Sequence, residues 1–193
     1  AAVVETPAVV ETAVSVTPET TLPTPEPPAV SQTMPGSATP APLRDAESGA
    51  PATRVLLAQT LWTLFARPAA EGDVYFSDLP ADTDAAQAIR WAAQSGLIVG
   101  YGDGTFRPDQ YLTRQEFFKI IQNFCNAVAY HPSVDGANLS KFNDSCSLSS
   151  WAVEAAKICV KCEYVNGTKN ASGLSLNPAA NTSREEAMAM FLR

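Results

Sequence analysis

The feature that most constrains this chain is a pattern that occurs twice and a fragment of it that occurs a third time. Phe76-Ser-Asp78 stands against Phe142-Asn-Asp144, and each is followed by an Ala-rich segment, 84–100 in the first copy and 151–167 in the second. The two segments end in Gly100 and Gly167, after which Phe106-Arg-Pro108 answers to Leu176-Asn-Pro178. Thr113-Arg-Gln-Glu116 and Ser183-Arg-Glu-Glu186 then place Arg114 and Arg184 six residues past their prolines. The second copy carries three extra residues between its glycine and its proline. An earlier fragment, 51–68, keeps Thr53-Arg54 and an apolar run, with Leu56 where the others have glutamate. Self-similarity of this kind marks a repeat architecture, in which each unit buries its apolar face against its neighbours.

Each copy reads as a helix, a long glycine-rich loop and a second helix. In the first helix Ala85, Ala88, Ile89, Ala92 and Gly96 fall near one face, and Ala152, Ala155, Ala156, Cys159 and Glu163 form the equivalent face, with Trp151 leading in. Small residues there suit close helix packing. In the second helix Phe117, Ile121, Phe124 and Val128 recur at helical spacing, as do Leu57, Leu61, Leu64 and Phe65 in the fragment and Ala187, Met190 and Phe191 at the end. Such stripes are core by default. The expected fold class is all-α: repeated helix–loop–helix units packed as a bundle, with a complete unit over 74–131, a divergent one over 140–193 and the final helix of a partial one over 52–68.

Residues 1–51 read differently. They hold ten of the 15 prolines and none of the aromatic residues, and VVETPAVVET (3–12) is a near-repeat. A segment without large apolar groups cannot offset the entropy of ordering its backbone, so a disordered, partly polyproline linker is expected. Most of the net charge of −7 sits in this stretch. The chain has no basic stripe, which argues against nucleic acid and anionic membrane as partners. No apolar run approaches the roughly 18–20 residues that span a bilayer, and no signal peptide is visible.

The four cysteines are Cys125, Cys146, Cys159 and Cys162. Cys159-Val-Lys-Cys162 lacks a second ligand pair at metal-binding spacing, and His131 is isolated, so no metal is expected. The residues are buried thiols or two structural disulfides with three possible connectivities; a bond within the CxxC is awkward mid-helix, which favours pairing it with Cys125 and Cys146. No cofactor is expected. The Ser, His and Asp residues form no triad order, and paired carboxylates such as Asp82/Asp84 and Glu185/Glu186 read as turn and cap residues, so no enzyme is expected.

Thr113 with Glu116, and Ser183 with Glu186, have the spacing of a capping box. The capping box does not account for the arginine. A cation in the first helical turn opposes the macrodipole, yet Arg54, Arg114 and Arg184 all occupy that position. Such an arginine can pair with a carboxylate of a neighbouring repeat or hold an acidic ligand in a bidentate fork. The preceding loop supports either use. Gly100, Gly102 and Gly104 permit close backbone approach, and beside Tyr101 they make a wall on which a sugar ring can stack. Calcium fits poorly, because Asp103 and Asp109 lack the spacing of a calcium loop.

The order FSDL (76–79), Ala-rich helix, GLIVGYGDGTFRPDQYLTRQEF (96–117) closely resembles the S-layer homology module, with its F-x-D-V start, G-I-V-x-G-Y-x-D-G-T-F-x-P loop and T-R-A-E helix start. Residues 76–130 match almost fully and 142–193 in outline, with Glu163 in place of the loop's leading glycine and the Y-x-D-G turn lost; 53–66 match the last helix only. The resemblance implies a pseudo-trimeric helical spindle, here with one repeat incomplete, and a place at the extracellular cell wall. It implies non-covalent binding of a secondary cell-wall polymer through an acidic, pyruvylated sugar. It makes Arg114 and Arg184, with Arg54, the candidate acid-group ligands. Thr113 and Glu116 stand beside Arg114, and Asp78, Gly96, Gly100 and Tyr101 line the groove. A compensating homo-oligomer or a surface-layer lattice is also implied, and the alternative function is self-assembly or partner docking without sugar binding.

Overall fold

A computed structural model describes residues 49–79 and 83–191. The expected linker lies outside them except for 49–51. The chain is mostly helical. The helices are α1 (Arg54–Leu64), α2 (Asp84–Gln94), α3 (Arg114–Ala127), α4 (Val153–Lys161) and α5 (Arg184–Phe191), with short 3-10 turns at Ser145–Ser147 and Ser150–Ala152. Strands β1 (Thr168–Asn170) and β2 (Gly173–Ser175) form an antiparallel hairpin inside the loop that carries the three extra residues.

Helix starts follow the sequence. The Thr113 hydroxyl accepts the Glu116 amide, while the Glu116 carboxylate accepts the Thr113 amide at 2.8 Å, completing the capping box. Ser183 and Glu186 do the same, both bonds at 3.1 Å. Thr53 caps α1 alone, because Leu56 has no carboxylate to return.

The three caps meet in a closed ring. The Ala52 amide donates to the Thr182 carbonyl at 2.8 Å, Thr182 to Leu112 at 2.8 Å, and Leu112 back to Ala52 at 2.9 Å. One step outward, the amides of Arg54, Arg114 and Arg184 donate to the carbonyls of Gln110, Ala180 and Ala50. Amides that a helix leaves unpaired at its start are thus satisfied by the strand of a neighbouring copy. Residues 49–51, read from sequence as linker, belong to this ring through Ala50 and the Pro51–Ser183 bridge.

Behind the ring, Phe65, the C-cap of α1, meets Trp91 at a tilt and Phe124 edge to face, and Phe191 contacts both Phe124 and Phe117, so one aromatic run joins the end of α1 with α2, α3 and α5. Leu57, Leu61, Ala88, Ile89, Ala92, Phe117 and Ile121 are buried as their spacing predicts, and so are Ala152, Ala155, Ala156 and Cys159. Val128 and Trp151 depart from it. Val128 is the C-cap of α3, and Trp151 sits in a 3-10 turn ahead of α4; both are exposed. Glu163 keeps the left-handed backbone of its counterpart Gly96 (φ 58° and 68°), so the substitution alters the residue and leaves the turn.

Two aspartates fix the loops. Asp78 accepts the amides of Phe106 and Arg107 at 2.9 and 2.6 Å, and Asp144 those of Leu176 and Asn177 at 2.8 and 2.7 Å. Replacing either aspartate by alanine strands two amides that a carboxylate held, and is expected to lower stability by about 2 kcal/mol. Urea unfolding of D78A and D144A checks this; midpoints within error of wild type would refute the clamp.

Candidate functional site

The cap arginines reach across the ring to the following copy's loop. Arg54, 5% exposed, donates from Nε to the Phe106 carbonyl and from Nη2 to the Val99 carbonyl, both at 2.7 Å. Its guanidinium lies 4.8 Å from the Tyr101 ring centroid and 4.5 Å from that of Phe106. Arg114, also 5% exposed, donates from Nε to the Leu176 carbonyl and from Nη1 to Glu186, both at 2.7 Å. Opposing the helix dipole costs a few tenths of a kcal/mol, whereas a hydrogen bond from a charged donor contributes about 1.5–3 kcal/mol. The interface contact therefore outweighs the unfavourable position on the helix.

Beside Arg54 lies an open hollow of about 260 Å³. The loop contributes Leu97, Ile98, Val99, Gly100 and Tyr101, α3 contributes Glu116, Lys119, Ile120 and Asn123, and Trp151 stands at the rim. Gly100 is required by packing: a Cβ there would overlap the Phe76 ring and come within 3.0 Å of the Thr105 carbonyl. Tyr101 donates its hydroxyl to Glu116 at 3.2 Å. Its ring carries Arg107 at 4.0 Å as well as Arg54, so two guanidiniums already cover it. The half-exposed aromatic surface at the hollow is Trp151, 48% exposed.

Burial lowers the Arg54 pKa from its ordinary value, and Tyr101 and Glu116 oppose that. Burial likewise raises the Tyr101 phenol. At the loop tip, the Thr105 hydroxyl, Arg107 and the Thr105 amide hold the exposed Asp103 carboxyl down to about 2. Among the described residues no group of His, Cys, Asp or Glu is arranged to hold a metal ion, and no helix is long and apolar enough to cross a membrane. The four cysteines are free thiols, with burial pushing Cys159 and Cys125 above the ordinary thiol range.

Of the residues singled out from sequence, Arg54, Gly100, Tyr101 and Glu116 come together at the hollow, with Thr113 held behind Glu116. Asp78 binds the back of the loop, and Gly96, exposed, terminates α2. Arg114 is not at the Gly100 hollow. The arginine there is Arg54, because Arg54 and Arg114 each face the loop of the copy that follows. Arg184 lies at the third position of the ring. Sequence reasoning missed Lys119, Ile120 and Asn123, whose signal was their helical spacing from Glu116. It placed Trp151 only as a lead-in to α4; its arrival at the hollow is a tertiary event.

The fold and hollow define a class: a mostly helical module in which a cap arginine clamps a glycine-rich loop beside a solvent-open pocket. Residues 75–118 match the S-layer homology domain, and the chain carries that domain. It is 31% identical over 136 residues to the Surface-layer 125 kDa protein of Lysinibacillus sphaericus, covering 70% of this chain and 11% of that protein. It is 34% identical over 125 residues to Cell surface glycoprotein 1 of Acetivibrio thermocellus (61% of this chain, 5% of that protein). It is 28% identical over 120 residues to the Cellulosome-anchoring protein of the same organism (62% and 26%). The chain thus spans about a quarter or less of the length of these relatives. The domain and its relatives place the chain at the extracellular cell surface.

Because the Asp103 carboxyl is lowered from 3.8 to about 2 in the folded state, its contribution to the loop tip is present above the unfolded pKa and disappears as pH falls from about 4 through about 2. NMR shifts of the Thr105 amide should stay constant down to about pH 4 and then titrate with a midpoint near 2. A midpoint near 4 would contradict the Asp103–Thr105–Arg107 contacts.

Proposed function

We propose that this chain anchors a cell-surface protein non-covalently to an acidic cell-wall glycopolymer, and that the hollow between Arg54, the Val99–Tyr101 loop and Trp151 receives an acidic sugar of that polymer. In this reading α1, α3 and α5 are the corresponding helices of a three-fold spindle whose first repeat is present only as its last helix, 52–68, followed by units over 74–131 and 140–193. The observation that carries it is the pairing of cationic groups, Arg54 and Lys119, with a half-exposed indole across one open hollow. An indole face supports a sugar ring, while the guanidinium and ammonium attract its acid group. The name of one relative, a cellulosome-anchoring protein, agrees with an anchoring role. Catalysis has no part in this reading, and Arg114, occupied by Glu186, serves the interface between copies.

Sedimentation of the chain with purified cell-wall sacculi tests the proposal. Trp151→Ala and Lys119→Ala are each expected to weaken binding about tenfold, equivalent to about 1.4 kcal/mol, without changing the unfolding midpoint. Chemical removal of the polymer's acid groups should have an effect at least as large. Binding that survives all three changes would refute the site, and concentration-dependent assembly without wall affinity would transfer the role to lattice formation.

A further inference from the structure

A second hollow lies between α2 and the segment that leads to it from α1. That segment is tethered at three places. The Trp62 indole donates to the Pro68 carbonyl at 2.7 Å. The Gln94 carboxamide donates to the Glu71 carbonyl and, at 3.1 Å, to that of Gly72. Phe76 turns inward onto the Phe106 ring, with 5.5 Å between centroids. Residues of this segment and of α2 enclose a hollow of about 530 Å³, which shares no lining residue with the Arg54 hollow. Because its wall is tied down without a ligand, binding there carries little ordering cost.

Gln87, Arg90 and Gln94 lie at i, i+3 and i+7 on α2 and share a face. Gln94 is engaged by the loop carbonyls, whereas Gln87 and Arg90 line the hollow. The loop contributes Asp73 and Tyr75. Tyr75 is 83% exposed, although its neighbour Phe76 packs inward. Successive side chains of an extended segment point to opposite sides, so anchoring Phe76 presents Tyr75 outward. Among the described residues the side chains of Asp73, Tyr75, Gln87 and Arg90 have no hydrogen bond or ion pair. Four polar side chains at one concavity thus keep their bonding capacity uncommitted, and two of them carry opposite charges that do not close on each other.

We propose that this hollow is a second binding site, for a neutral saccharide, with the Tyr75 ring as the stacking surface and Asp73 and Arg90 as hydroxyl ligands. The donor and acceptor inventory decides the class. A guanidinium only donates and an ionised carboxylate only accepts. A simple anion would suit Arg90 and be repelled by Asp73, and a simple cation the reverse. Hydroxyls both donate and accept, so adjacent sugar hydroxyls satisfy both side chains without any net charge. Gln87 adds a donor and an acceptor, and the apolar face of a sugar ring covers the phenol ring. A zwitterion also answers both charges but leaves the exposed ring unused. The site takes the opposite kind of sugar from the Arg54 hollow, uncharged instead of acidic, and stands whether or not that reading does.

Titration of the full ¹⁵N-labelled chain with the neutral disaccharide of N-acetylglucosamine, followed by NMR, tests this. The amides of Gly72, Asp73 and Tyr75, the Gln87 carboxamide and the Arg90 Nε–H are expected to shift and saturate with a Kd on the order of 1 mM. Tyr75→Ala and Asp73→Ala should each weaken binding about fivefold or more. Unchanged resonances at the Arg54 hollow would show that both variants remain folded. No shifts at about 50 mM disaccharide, far above a millimolar Kd, overturn the proposal. So do shifts confined to Val99–Tyr101, Lys119 and Asn123, or shifts that both variants leave intact. Tighter binding of the zwitterion alanylalanine overturns it in favour of a dipolar peptide ligand.

Discussion

The fold depends on a guanidinium fork placed one residue after a helix cap. Arg54 and Arg114 leave the first turns of α1 and α3, where their charge is unwelcome, and each delivers Nε to a carbonyl in the following copy at 2.7 Å. Two properties make arginine the residue for this task. Its donors sit in a rigid plane, so one side chain engages two acceptors at once, and it stays charged when buried. A lysine ammonium reaching the same depth would lack the fork geometry and would more readily lose its proton. Each arginine thereby joins the cap of one helix to the loop of another, and the loop is the element that shapes the hollow.

The ring of Ala52, Leu112 and Thr182 depends on the same contact. Three short strand segments would gain little from one hydrogen bond each, since a typical bond contributes only about 1 kcal/mol net. The arginines and the two aspartates bind the same stretches from either side: Asp78 takes the amides of Phe106 and Arg107 while Arg54 takes the Phe106 carbonyl. Asp144, Leu176 and Arg114 repeat this arrangement. A loop held at both its amides and its carbonyl can stay extended without strand partners of its own. That explains how a protein whose described residues form one hairpin of three-residue strands still presents fixed loop backbone to solvent.

Much of this was legible in the sequence because it depends on local rules. The capping boxes at Thr113–Glu116 and Ser183–Glu186, the apolar stripe of α3 and the equivalence of Asp78 with Asp144 all follow from spacing. The three arginines against their dipole preference signalled a task, and of the two uses considered the structure shows a carboxylate of a neighbouring copy for Arg114, which meets Glu186, while Arg54 takes two loop carbonyls beside the hollow. Which arginine faces which loop was not legible, because it is set by the order in which copies close around the ring. Trp151 escaped for the same reason. Its neighbours in sequence belong to α4, while its position at the hollow is fixed from α3, where the Gln115 side chain accepts the Ser149 amide at 3.1 Å. The hairpin escaped because three-residue strands carry no periodicity.

The two copies differ in how the clamping arginine meets the capping-box glutamate of the loop it holds. In the second copy Arg114 contacts Glu186 directly at 2.7 Å, closing guanidinium on carboxylate. In the first, the corresponding carboxylate is Glu116, yet Arg54 forms no ion pair among the described residues. Tyr101 stands between them: its hydroxyl takes a Glu116 oxygen at 3.2 Å and its ring lies against Arg54. The residue after Gly167, where a second tyrosine would be needed, is Thr168, which begins the hairpin and is exposed. A threonine is too short to hold guanidinium and carboxylate apart, so they collapse onto each other. The aromatic residue in the glycine-rich loop thus acts as a spacer, keeping a buried cation beside an open cavity instead of neutralised at its wall. It is the loss of that spacer, with the arginine and glutamate both retained, that separates a copy whose guanidinium borders a hollow from one whose guanidinium closes on a carboxylate.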